Sequence, residues 1–157
     1  MAQEIFTRVE ISPELKRLIE NNTDIAPKSV KEGMKKITRE APKKVRVKIR
    51  SLGLVKKGNL VKTIRGKTQK DKSIIGSQYF VGHILEGGAK PHVIKAKRGK
   101  LLWWPGLKRP VKRVRHPGVK AYKFLESTIN EMQNSGQIQS LFSQGVQQAI
   151  EEIQNNG

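Results

Sequence analysis

The pattern of apolar and polar positions divides the chain into segments of different period. Near the N-terminus "EIFTRVEI" alternates and predicts a short strand. Ser12-Pro13-Glu14 then supplies an N-cap, a first-turn proline and an acid at the positive end of a short helix, with Leu15, Leu18 and Ile19 on its apolar face. "NNTDIAP" interrupts it, and a second helix starts near Pro27, carries Val30, Met34 and Ile37 on one side, and ends at Pro42. "KKVRVKIR", Lys43 to Arg50, sets Val45, Val47 and Ile49 on one face, the period of a half-buried strand, which over so few residues a helix also fits.

"KKGNLVKTIRGK" turns at Gly58-Asn59, and "KSIIGSQYF" predicts another strand. Tyr79 to Leu85 is apolar enough for a short helix that Gly87-Gly88 terminates. "VIKAKRGKLLWWPGLKRPVKRVR" predicts antiparallel strands with Pro105-Gly106 in a type II turn, and Pro110, which cannot donate to a ladder, marks an edge. Phe124, Leu125, Ile129 and Met132 share one helical face. After Ser135-Gly136, the positions Ile138, Leu141, Phe142, Val146, Ala149, Ile150 and Ile153 trace a second amphipathic helix. That last helix either packs its stripe on the sheet or docks on a neighbouring subunit. The plan is α+β: N-terminal helices, a central twisted antiparallel sheet and C-terminal amphipathic helices. It divides into one domain over residues 1–133 and a helical arm over residues 134–157.

Charge changes this picture most. The 157 residues carry 32 Lys and Arg against 13 Asp and Glu, a formal charge of +19. Such an excess works against a compact state unless a polyanion or an acidic partner offsets it. Residues 31–72 hold sixteen Lys/Arg against three acids, and residues 90–123 hold twelve with none. Residues 124–157 carry Glu126, Glu131, Glu151 and Glu152 and no base. A basic middle between faintly acidic ends suits head-to-tail assembly as well as it suits nucleic acid.

Candidate chemistry is sparse. Without cysteine there are no disulfides and no thiolate metal sites. His83, His92 and His116 are far apart in a cationic setting that opposes a metal, so histidines packed or hydrogen-bonded in turns are the simpler account. No Gly-x-Ser-x-Gly, His-Glu-x-x-His or phosphate loop occurs, and Glu86, the lone acid of its region, lacks a second titratable group for acid–base work. No cofactor and no enzyme activity are expected. No apolar run approaches a membrane span, so a product of the cytoplasm is expected. Lysines, arginines and aromatics could serve RNA or DNA, but Trp103 and Trp104 sit in the apolar cluster "LLWWPG", which favours a core or a subunit interface.

Three separated segments, taken in order, resemble one family. "GNLVKTI" contributes Gly58, Asn59, Leu60, Thr63 and Ile64. "YFVGHILEGGAKPH" contributes Tyr79, Glu86, Gly88, Pro91 and His92. "HPGVKAYKFLE" contributes His116, Pro117, Gly118, Phe124 and Leu125. Together they are similar to the tail-completion, or head–tail joining, proteins of long-tailed bacteriophages and prophages. The resemblance implies a homo-oligomeric ring of six copies at the virion neck, assembled in the host cytoplasm. Such a ring joins head-completion proteins to tail-terminator or tail-tube proteins around a channel that duplex DNA crosses. The closely related role of tail terminator stays open, as does a basic RNA- or DNA-binding protein.

On this view Trp103, Trp104, Phe142 and Ile150 are candidate subunit contacts. Lys95, Lys97, Arg98, Lys100, Lys112, Arg113 and Arg115 are candidate contacts to channel DNA or an acidic partner. The acidic C-terminal segment is expected to meet a basic patch on the next subunit or ring. Deletion of residues 135–157 should then change the assembly state, measured by light scattering.

Overall fold

A computed structural model of the chain describes residues 5–10, 13, 17, 26–69 and 72–155. The short helix expected from Ser12 through Ile19 and the interruption that follows it lie outside the described residues, apart from Pro13 and Arg17, which are helical. Strand β1 (Ile5–Glu10) is followed by the long helix α1 (Ala26–Ser51) and the single turn α2 (Asn59–Thr63). Strands β2 (Arg65–Gln69) and β3 (Lys72–Ser77) precede helix α3 (Phe80–Gly87). Strands β4 (His92–Lys95) and β5 (Arg113–His116) lead to helices α4 (Phe124–Asn134) and α5 (Gln137–Asn155). Among the described residues, no helix is long and apolar enough to cross a membrane.

The fold is α+β, but its strands form two sheets rather than one central sheet. A three-stranded antiparallel sheet has the order β1-β3-β2, and β4 and β5 pair only with each other. In the first sheet Val9, Ser73 and Ile75 point at α1, so the period-two alternation of the strands matches one covered face. Three hydroxyls cross that interface in series: Thr68 donates to Thr38, Thr38 to Ser73, and buried Ser73 to the Met34 carbonyl at 2.8 Å.

The segment Lys43–Arg50 is helix, not strand, and Pro42 does not end α1 but lies inside it. Val30, Met34, Ile37, Ala41, Val45 and Ile49 are all buried and step by three or four residues, an unbroken helical stripe. Val47, which the strand pattern would bury with Val45 and Ile49, is 59% exposed. Pro42 removes the N–H that would bond the Thr38 carbonyl. Gly66 of β2 lies against that oxygen, so close that a Cβ there would stand 2.5 Å from it. A Cα–H pointing at the freed carbonyl is a weak partner, and the buried stripe continues past the proline through Val45 and Ile49.

The C-terminal helix packs on α1 rather than on the sheet. Gly145 meets the α1 backbone at Glu32 and Gly33, and the Phe142 ring lies over Gly33. Phe142, expected at a subunit interface, is a core residue 4% exposed, and Ile150 is half-buried on the same helix. Over Gln137–Asn155 the expected arm is therefore part of the body. Lys36 of α1 donates to Gln148 of this helix at 3.1 Å, and Lys48 of α1 pairs with Glu131 of α4 at 2.5 Å.

A Cβ at Gly145 would stand 2.6 Å from the Gly33 Cα and from the Glu32 carbonyl oxygen, backbone atoms that cannot swing aside. Gly145→Val should lower unfolding free energy by about 1–3 kcal/mol through overpacking. Urea denaturation followed by circular dichroism measures this, and an unchanged midpoint would mean that the two helices do not cross there.

Candidate interaction surface

The second and third segments of the family resemblance meet in space. Residues Ala89 and Val119 exchange two backbone hydrogen bonds of 2.8 Å, bringing the Gly-Gly-Ala turn after α3 against the His-Pro-Gly segment before α4. Gly88 (φ 75) and Gly118 (φ 90) hold left-handed conformations. A Cβ at Gly88 would collide with the 119–121 backbone, and one at Gly118 would stand 2.3 Å from the Ala89 carbonyl. Only glycine fits both the angles and the approach.

Glu86 closes this clasp. Its two carboxylate oxygens accept from the backbone N–H groups of Leu125 and Glu126, each at 2.9 Å. Lys123, the residue before α4, has φ 47 and offers no side-chain cap of its own. Glu86 thus caps α4 from about forty residues away, satisfying orphan donors with a charge that also suits the positive helix end. Phe124 and Leu125, the next two residues, are buried. The Tyr122 N–H bonds the Leu85 carbonyl at 2.8 Å, completing the join of α3 to α4.

His92 and His116 face each other across the ribbon and stack, with ring centroids 5.1 Å apart. His92 Nδ1 is 2.9 Å from the Lys90 carbonyl oxygen, and His116 Nδ1 accepts from the Gly118 N–H at 3.1 Å. These are histidines bonded within turns, beside Pro91 and Pro117. His83 is separate, and among the described residues no group of three or more His, Cys, Asp or Glu could hold a metal. The first segment of the resemblance sits elsewhere. Gly58 (φ 72) starts α2, Leu60 and Ile64 are core, and Leu60 packs on α3 at Gly82 near Tyr79.

From the clasp projects a two-stranded ribbon. Its register runs unbroken from Ala89↔Val119 through Lys95↔Arg113, and Ala96 N–H still bonds the Lys112 carbonyl at 2.9 Å. A tight turn at Lys97–Lys100 then displaces the pairing, which resumes at Leu102↔Val111. The hairpin closes through Trp104-Pro105-Gly106-Leu107, where the Leu107 N–H reaches the Trp104 carbonyl at 3.1 Å and Gly106 has φ 95, as a type II turn requires. Trp103 is 63% and Trp104 40% exposed, so neither is a core residue of this chain.

The seven candidate cations separate by face. Lys95 and Arg113 are directly opposed, and Arg115 lies two residues further along the same face, opposite Val93. Lys112 takes the other face, with His92, Ile94, Val114 and His116. Lys97, Arg98 and Lys100 belong to the turn. All seven are exposed, and none is in an ion pair among the described residues.

A groove of about 610 Å³ lies beside α2 and α3, lined by Leu54, Leu60, Tyr79, Leu85 and Tyr122 with Lys56 and Lys57 at its rim. Its described lining has no carboxylate or imidazole. Comparison with known proteins finds no matching family model, no matching curated protein and no matching solved structure.

Glu86→Ala would leave two backbone donors of α4 without their acceptor and should cost about 1–3 kcal/mol. Glu86→Gln keeps an acceptor without the charge and should cost roughly half as much. Urea denaturation of the two variants measures the difference, and equal stability of both with the parent would remove the capping role.

Proposed function

We propose that the chain is a structural protein of a tailed-bacteriophage virion. It forms a ring at the neck that joins tail to head around the DNA channel, without cofactor or turnover. The observation that carries this reading is the projecting ribbon, which ends in two exposed tryptophans on a chain of charge +19. Apolar and cationic surface of this kind is left unmatched by a lone subunit, and a ring with two different interlocking patches would match it. The clasp gives the residues of the resemblance a physical task. Glu86, Gly88, His92, His116 and Gly118 build the ribbon's root, while Phe124 and Leu125 anchor α4 in the core.

Electron microscopy of a lysate from a phage or prophage with this gene disrupted tests the proposal. Full heads and finished tails that accumulate unjoined are the expected result. Tails of irregular length would assign the chain to tail termination instead. Normal joined particles would overturn the virion reading and leave a basic nucleic-acid-binding protein.

A further inference from the structure

The ribbon has one face with no source of compensation. Lys95 stands directly across from Arg113, and Arg115 follows two residues along. Side chains so placed lie within about 4.5–8 Å of one another. Like charges directly opposed across an antiparallel pair destabilise it. No acid occurs between Glu86 and Glu126, and Glu86 is bound to the α4 backbone. The cationic flank of α1 is different. There Glu32 and Glu40 adjoin Lys31 and Arg39 and pair with Lys35 and Lys43, so acids lie within that surface.

We propose that the Lys95–Arg113–Arg115 face of the ribbon is a binding site for the phosphate backbone of duplex DNA. The inference deepens the neck-ring reading and rests on it, since it names which surface of the ring meets the duplex. Four features favour the backbone of a duplex over a single strand or a protein. The face bears no aromatic residue, so it lacks the stacking platform that single-stranded nucleic acid uses. Within the paired strands β4 and β5 its apolar content is Val93 alone, too little for the core of a protein interface. The apolar positions Ile94 and Val114 lie on the opposite face, and Leu101, Trp103 and Trp104 lie at the tip. Lys112 apart, the ribbon therefore separates a surface for phosphates from surfaces for protein. A two-stranded ribbon is also narrow enough to follow a groove of the duplex.

The test is fluorescence anisotropy of a labelled duplex of about 30 base pairs, titrated across roughly 50 to 200 mM salt. Three full-length proteins are compared with the parent: Lys95→Gln/Arg113→Gln/Arg115→Gln, the charge-keeping Lys95→Arg/Arg113→Lys/Arg115→Lys, and Lys31→Gln/Arg39→Gln/Arg50→Gln on α1. Loss of three phosphate contacts should reduce the slope of log affinity against log salt by about 2.7 in the first protein, an affinity change of about 40-fold over that range. The second protein should keep the parental slope, and the third should lose less than one unit of it.

Equal losses in the ribbon and helix glutamine variants would mean that net charge alone drives binding, and would overturn the site. So would failure of the charge-keeping variant. A parent that does not bind duplex at the low-salt end would overturn it as well and point to an acidic protein on this face. Each of these outcomes is separable from the gene-disruption result, since heads and tails could still need the chain in order to join.

Discussion

Pro42 has no N–H to give the Thr38 carbonyl, yet α1 runs on past it because Val45 and Ile49 continue its buried stripe into the core, with Gly66 of β2 packed against the freed oxygen. The body depends on this continuity. Arg46, one turn beyond the proline, donates to the carbonyls of Val61 and Ile64 and fixes α2 and the start of β2. Val45 and Ile49 are fully buried, and the α4 residues Phe124, Leu125, Ile129 and Met132 belong to the same core. A helix stopped at Pro42 would leave those residues without their central support. Residues that resemble a strand by pattern are held helical by what lies on both sides of them.

The second organising contact is electrostatic. The Glu86 carboxylate binds the first amides of α4 and simultaneously ties α3 to the root of the ribbon. Because Ala89 and Val119 are already paired there, the ribbon leaves the body at one point, with both its strands fixed. The surface it presents is set by register rather than by packing. One face has three cations, the other holds aliphatics, stacked histidines and Lys112, and the tip carries indoles.

Local chemistry was legible in the sequence. Gly58, Gly88 and Pro105-Gly106 marked turns that the backbone angles require, and the 124–132 and 138–153 stripes marked helices that exist. Lys43–Arg50 misled because Val45 and Ile49 satisfy both periods, and only the exposure of Val47 separates them. The series Val30, Met34, Ile37, Ala41, Val45, Ile49 keeps helical spacing through Pro42, a residue that by local chemistry alone signals a helix end. The stripe through Phe142 by itself also fits an interface, and it is the small residues Gly33 and Gly145, where α5 approaches α1, that place Phe142 in the core. The role of Glu86 left no trace in the sequence, since its partners are backbone amides about forty residues away. The family resemblance marked the clasp residues as a set without saying that they touch.

The paired root of the ribbon makes its reach an independent variable. With Ala89 and Val119 held side by side, strand can be added or removed beyond them without moving a core residue. Only steps of two residues on each strand keep cations on one face and aliphatics on the other, and each such step changes the extension by about 6.6 Å. Lineages descending from this architecture can therefore adjust the span of the ribbon in discrete increments, while the body that anchors it stays under unrelated constraints.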